Sequence, residues 1–418
     1  MQLIVFEDEF VPRLFPLTLG RPAYSLLCGS FRLIDWIEKL APAPRSVIRD
    51  YLHDLQTADY PGLEPLGRGV PLSEPTMWIN ARLVPSRATY KALREVRDRA
   101  QPGVARVGSS VAAVVFPPNQ PPVPENLHVG SLERYFNQCG LGDLPPLSAD
   151  LPLLEYPHHV VYYNQETLNH NLEYRLRKGP YQEIADGVFA AEQTKVGEHV
   201  ATDTREGPIV LENRVRIAPH AFLRGPIHIG ARARVIEHAA IKDATCIAHT
   251  AKIGGEIEGS VIEAYTNKQH HGFLGHSALG SWINLGAGTC NSDLKNTYGK
   301  INMEYEGRRV STGMQFLGCI MGDYTKTAIN TGIFTGKVIG VCSMLYGFVT
   351  TNVPSFVNYA RLFGQVTEMP LEVMITSQRR MFARRQVIQR DCDEQLIRSM
   401  HRLTCDQGQV GGNHFSFD

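Results

Sequence analysis

The chain has 418 residues, with 42 Lys and Arg balanced by 42 Asp and Glu, so its formal net charge is zero. No global field draws such a protein onto nucleic acid or an acidic membrane surface, and any anion site must be local. At roughly 100–200 residues per domain, this length predicts two or three domains.

The chain opens MQLIVFEDEF, an apolar run too short for a signal h-region or a membrane span, and a cytoplasmic protein is expected. Eight cysteines, at 28, 139, 246, 290, 319, 342, 392 and 405, are scattered without a C-x-x-C pair. That pattern points to buried reduced thiols rather than a disulfide framework or a zinc ribbon.

Residues 1–187 mix short apolar runs (LIVF, AAVVF, HVVYY) with helix-like stretches such as ATYKALREVRDRA, where Tyr90, Leu93 and Val96 recur at helical spacing. An α/β domain is predicted. The proline-rich segments FPPNQPPVPE (116–125) and LPPLSADLPLL (144–154) are expected to be loops or extended connectors.

Residues 188–360 follow a different rule. Leu211, Ile217, Leu223, Ile229, Val235, Ile241, Ile247 and Ile253 are eight aliphatic positions at a spacing of six. Four residues after each come Val215, Ala221, Ile227, Ala233, Ala239, Thr245, Ala251 and Ile257, all small or β-branched. With about a quarter of residues being Leu, Ile or Val, such a run arises by chance about once in 10⁵ starting points. A six-residue period is the hexapeptide signature of a parallel β-helix, each unit giving a short strand and a corner. The pattern stumbles at Gly259, returns at Leu279 and Leu285, breaks over SDLKNTYGKINMEYEGRRVSTGMQF, and resumes at Met321, Thr327, Ile333, Ile339 and Leu345. Both interruptions read as inserted loops on one face of the solenoid. Residues 361–418 form a helical tail: over 379–403, Met381, Val387, Leu396 and Met400 recur among charges as in an amphipathic helix.

The stretch NKQHHGFLGHSALGSWINLGAGTCNSD (267–293) resembles the acetyltransferase half of GlmU-type enzymes, bifunctional proteins with a sugar-nucleotidyltransferase domain and a left-handed β-helix. The shared elements are a histidine, leucine-glycine, an asparagine before L-G-A-G-T, and a further asparagine. The segment EGSVIEAYTNKQHHGFLGHSALGSWINLGAGTCNSDLKNTYG with MQFLGCIMGDYTKTAINTG also resembles a GlmU-like branch of sugar nucleotidyltransferases. The resemblance implies that His270 is a general base, that Asn284 and Asn291 contact a sugar, and that the Ala287 N–H faces a thioester oxygen. It implies acetyl-CoA as co-substrate, an amino-sugar phosphate as acceptor, and a homotrimer with active sites between neighbouring helices. A histidine titrating near pH 6.5 suits removal of an amine proton. Glycines in LGAG allow backbone donors to approach an oxyanion. Lys268, Lys295, Lys300, Arg308 and Arg309 lie in or beside the two loops and suit phosphate, and Asp293 joins the substrate-binding set. The pattern departs at Phe273, where the family has a tyrosine, and at GEIEG, where it has a lysine.

At the amino terminus, VPRLFPLTLGRP resembles the nucleotidyltransferase signature, with Arg13 at the triphosphate-binding arginine and Thr18 within the motif. The glycine-rich segment before it is replaced by Phe6-Glu7-Asp8-Glu9, carboxylates that would repel phosphates. In MWINARLVPS, Asn80 and Arg82 stand where the family binds magnesium through an aspartate. Magnesium is expected only if this domain is active. Two other readings stand beside acetyl transfer: nucleotidyl transfer to a sugar-1-phosphate, and a non-catalytic scaffold that binds sugar nucleotides.

A metal site is not expected. His271 and His276 are five apart, as in zinc-binding β-helix carbonic anhydrases, but the third ligand position upstream, 234–236, reads Arg-Val-Ile. His220 and His238, eighteen apart, should stack with Glu256 as a structural ladder.

Overall fold

A computed structural model describes residues 1–67, 69, 72–305 and 307–405. It divides into two compact units, Met1–Tyr156 and Pro157–Asp418. Residues 406–418 of the expected helical tail lie outside the described residues.

The first unit is α/β. Its sheet contains β1 (Gln2–Phe6), β2 (Arg45–Val47), β3 (Glu64–Pro65), β4 (Thr76–Asn80), β5 (Gly103–Val107) and β6 (Ser110–Phe116), in the order β3-β2-β1-β4-β6-β5. β1 runs parallel to both β2 and β4, so the strand order reverses beside β1, the place where open α/β sheets bind ligands. The predicted helix spans Arg87–Arg99; Ser86 caps it by accepting from the Thr89 N–H, and Leu93 and Val96 are buried. Phe6, Trp78 and Phe136 meet edge to face in the core.

The second unit is a left-handed β-helix with helices beside it. Each coil contributes one strand to each of three faces: Ile209–Leu211 to the first, Arg216–Ile217 to the second and Phe222–Arg224 to the third. Residues eighteen apart pair in parallel, as in Ile209↔Ile227 and Leu223↔Ile241. All eight aliphatic repeat positions and their small or β-branched partners are at most 3% exposed. Each fully buried Ile, Leu or Val contributes roughly 1.5–3 kcal/mol. The corners demand left-handed backbone, and non-glycine residues supply much of it: Arg214, Arg232, Tyr265 and Trp282 at one corner have φ of 61–62°.

The first interruption is the reverse of an insertion. Ile253 pairs with Lys268, fifteen residues on, so this coil is three residues short and NKQHH belongs to the coil itself. The second interruption is a true insertion: Ala278 pairs with Ile320, and the chain between them carries the hairpin Asn302–Tyr305/Arg308–Ser311. The histidine ladder also differs from expectation. His199, His220 and His238 stack at 5.2 Å, whereas Glu256 lies on the third face with Lys242, because the short coil shifts its register.

The long helix His159–Lys178, inside the stretch assigned by texture to residues 1–187, packs in the second unit: Leu168 and Leu172 bury against Val210, and Arg175 pairs with Glu212 at 2.9 Å. The single amphipathic helix expected over 379–403 is two, Leu371–Arg384 and Asp391–Cys405. Asp393 accepts from the Arg390 N–H at 2.8 Å and starts the second helix afresh. Cys28, Cys246, Cys319 and Cys342 are buried as expected, but Cys290 is exposed. Among the described residues, no helix is long and apolar enough to cross a membrane.

Candidate functional site

The carboxylates at the end of β1 are neutralised from within. Glu7 is wholly buried and accepts from Arg49 Nε (2.9 Å), Arg49 Nη2 (3.0 Å) and the Ala23 N–H (2.8 Å). Asp8 receives Arg82 on both oxygens (2.7 and 2.6 Å) and Asn80 Nδ2 at 2.7 Å. Asn80 and Arg82, expected to meet nucleotide, are therefore corrected to structural partners of Asp8. Arg82 is 1% exposed and also donates to the Leu154 carbonyl and the Ser110 hydroxyl. Thr18 is fully buried, with its hydroxyl on the Val11 carbonyl. Arg13 alone of this set is exposed, over the Phe10 ring at 4.4 Å. The residues at this strand-order reversal do not fit a resident magnesium ion, since Asp8 already gives both oxygens to its guanidinium partner.

In the β-helix, the candidate residues fall into three groups. His270 is exposed at the corner between the second and third faces, its Nε2 3.2 Å from Gln269 Nε2. Ala287 occupies the same corner one coil on, and the Gly288 N–H donates to the His271 carbonyl at 3.1 Å, tying the two corners together. Asn284 is exposed on the second face and accepts from Asn267 Nδ2 at 3.2 Å. His270, Ala287 and Asn284 thus line one edge over two consecutive coils.

Lys268 and Asn291 are corrected, because the coil register turns both inward. Lys268 stacks on Ile253 at a core position, is 1% exposed, and donates to the His270 carbonyl (2.6 Å) and the Gly254 carbonyl (3.1 Å). It holds the His270 corner rather than a phosphate. Asn291 pairs with Ile333, is 5% exposed, and uses its amide on both the N–H and the carbonyl of Gly275.

Burial pushes the Lys268 ammonium down to about 8 from its ordinary value near 10.5. Its folded pKa lies below its unfolded one, so between those values the unfolded chain holds more protons and stability rises with pH. Stability is expected to increase by roughly 3 kcal/mol from pH 8 to 10.5 through this group. Urea midpoints of wild type and Lys268→Met should show the rise in wild type and its loss in the variant. Parallel profiles would show that Lys268 is not the source.

The third group surrounds the corner between the third and first faces. Asp293 Oδ2 lies 2.8 Å from His276 Nδ1, both side chains are 13% exposed, and Phe316 stacks on the imidazole at 5.2 Å. Lys295 and Lys300 lie in the insertion springing from this corner, with Lys295 Nζ donating to the Lys300 carbonyl at 2.7 Å. They are one face away from His270. Sequence reasoning weighed His276 only as a metal ligand and Asp293 only as a substrate contact. Their separation of seventeen residues, one coil at this point in the chain, was the available signal. An imidazole held at Nδ1 by a carboxylate keeps Nε2 as a proton acceptor, the usual preparation of a general base.

Residues 3–178 match the family model described as sugar nucleotidyl transferase. Among curated proteins, the chain is 27% identical over 149 residues to the bifunctional sugar-1-phosphate nucleotidylyltransferase/acetyltransferase of Sulfurisphaera tokodaii, a match covering 35% of this chain and 37% of that protein. It is 26% identical over 192 residues to the bifunctional protein GlmU of Ralstonia pickettii, covering 37% and 40% respectively. These matches thus span well under half the length of either relative. The solved polySia-specific acetyltransferase NeuO aligns over 48% of this chain and 99% of its own, at 14% identity and a TM-score of 0.26. Residues 3–178 are thus similar to the sugar nucleotidyl transferases, and parts of the chain are similar to the GlmU-type bifunctional proteins.

Proposed function

We propose that residues 188–360 transfer an acetyl group from acetyl-CoA to the amine of an amino-sugar phosphate, with His270 as general base. The observation that carries this reading is the accessible edge formed by His270, Ala287 and Asn284 on consecutive coils. As the amine attacks the thioester carbonyl, His270 takes its proton and the Ala287 N–H meets the developing oxyanion. Collapse breaks the C–S bond, and the departing thiolate takes the proton back from the imidazolium. Asn284 is one coil from Asn267 and suits the hydroxyls of a sugar. The working form in this reading is a cytoplasmic homotrimer, with neighbouring copies completing each site. Lys295, Lys300 and the His276–Asp293 pair serve the acceptor side.

A second reading, nucleotidyl transfer to a sugar-1-phosphate, is favoured by the family match over residues 3–178. Arg13 is the residue left exposed to meet a triphosphate. Mass spectrometry of products after incubation with acetyl-CoA, UTP and a panel of amino-sugar-1-phosphates separates the two. An N-acetylated sugar phosphate supports the first, a nucleoside-diphosphate sugar with pyrophosphate the second, and neither product refutes both.

A further inference from the structure

The strand-order reversal beside β1 holds a carboxylate with no oxygen left to offer. β1 and β4 run in parallel register with Phe6 opposite Asn80, so Asp8 and Arg82, each two residues further on, meet past the strand ends. Asp8 Oδ1 accepts from Arg82 Nε (2.7 Å) and the Phe10 N–H (3.2 Å), and Oδ2 from Arg82 Nη2 (2.6 Å) and Asn80 Nδ2 (2.7 Å). Four donors fill a carboxylate. Glu7 is filled in the same way, by the Ala23 and Arg49 N–H groups and by Arg49 Nε and Nη2.

The guanidinium is fixed as firmly. Arg82 Nη1 donates to the Leu154 carbonyl and Nη2 to the Ser110 hydroxyl, both at 2.9 Å, and the side chain is 1% exposed. A divalent cation is held by carboxylate and carbonyl oxygens that face it. To admit one here, Arg82 would have to leave Asp8 and stay buried without a counter-charge, which is strongly destabilising. The reversal thus carries a permanent internal cation where the resemblance in sequence calls for a metal.

The charge left over decides what the crevice can take. Glu7 cancels Arg49, Asp8 cancels Arg82, and the exposed Glu9 and Arg13 are of opposite sign. Arg13 stands beside the buried pair: its guanidinium and that of Arg82 lie against the same Phe10 ring, 4.4 and 5.5 Å from the centroid. A nucleoside triphosphate brings several negative charges, which phosphoryl-transfer sites neutralise with bound metal ions. One exposed guanidinium fork matches one phosphate.

We propose that the first unit binds a sugar bearing a single phosphate, with Arg13 on that phosphate and the Asp8–Arg82 pair in place of a metal ion, and transfers no nucleotide. This site does not depend on acetyl transfer by residues 188–360, and it excludes nucleotidyl transfer by the first unit. The acceptor proposed for residues 188–360 belongs to the same class of ligand.

Calorimetric titration of the full-length protein with glucosamine-1-phosphate, in magnesium and in EDTA, tests it. The sugar phosphate should bind equally in both buffers. Arg13→Gln should remove a binding site or weaken it at least ~10-fold. Wild type should release no pyrophosphate from UTP with glucosamine-1-phosphate or its N-acetyl form, with or without magnesium. The converse change, Asn80→Asp/Arg82→Met, frees Asp8 and adds a second carboxylate. It should gain a Mn²⁺ site, read by electron paramagnetic resonance, at least ~10-fold tighter than any in wild type. Binding unaffected by Arg13→Gln, binding lost in EDTA, or magnesium-dependent pyrophosphate release would each overturn the proposal. So would a double variant that folds by circular dichroism yet gains no Mn²⁺ site; if it misfolds, the Arg13 and EDTA results decide.

Discussion

His270→Ala is expected to lower kcat for acetyl transfer by at least ~10²-fold, with the thermal midpoint unchanged, because the imidazole is exposed and supports no packing. The comparison that gives this result meaning is with His276→Ala and Asp293→Asn. His276 has the better-prepared imidazole, held at Nδ1 by Asp293 and covered by Phe316. If His270 is the base, losing His276 should cost no more than about tenfold, and Asp293→Asn should change stability more than rate. If the large loss instead follows His276→Ala, and Asp293→Asn shifts the acid limb of the pH–rate profile, the base is His276 and the His270 assignment fails. Lys268 ties the His270 corner to the core, since its ammonium fixes the His270 carbonyl. His270→Ala leaves that backbone contact in place, which is why the fold should survive it.

Arg49→Met should destabilise the first unit by about 3–5 kcal/mol, since it strands a fully buried carboxylate. Glu7 would keep two backbone donors, the N–H groups of Ala23 and residue 49, but lose a bidentate guanidinium. Trp36 and Trp78 both lie in this unit, so urea unfolding followed by tryptophan fluorescence reads the change. Adding Glu7→Gln to Arg49→Met should recover most of the loss, because the buried charge is then gone. A single-variant cost below about 1 kcal/mol would mean that water reaches Glu7 and that the network is not the closed one described.

That network also changes how the FEDE segment is understood. As sequence, three carboxylates beside a phosphate-binding motif read as repulsion. In the fold, Glu7 and Asp8 are each neutralised by an arginine more than forty residues away, so the negative field at the end of β1 is largely cancelled. The same pairing removes Asn80 and Arg82 from nucleotide binding. Pairings of that kind depend on which strand ends the sheet order brings together, and no local pattern reports it.

The sequence by itself determined the β-helix. A six-residue period of aliphatic residues has one stable solution, because each such residue must find the same interior and only stacked coils provide it. The period also located the later coils correctly, through Met321, Ile333, Ile339 and Leu345, all buried. The sequence also singled out the corner to which the chemistry is assigned by proposal, since His270 and the LGAG segment stand out by composition and resemblance. Only the tertiary structure decided which of those residues face outward. Coil length varies here, from fourteen to twenty-one residues apart from the insertion, and each change shifts every later residue relative to its neighbours. That shift sends Lys268 and Asn291 inward, separates Lys295 and Lys300 from His270 by a face, and joins His276 to Asp293.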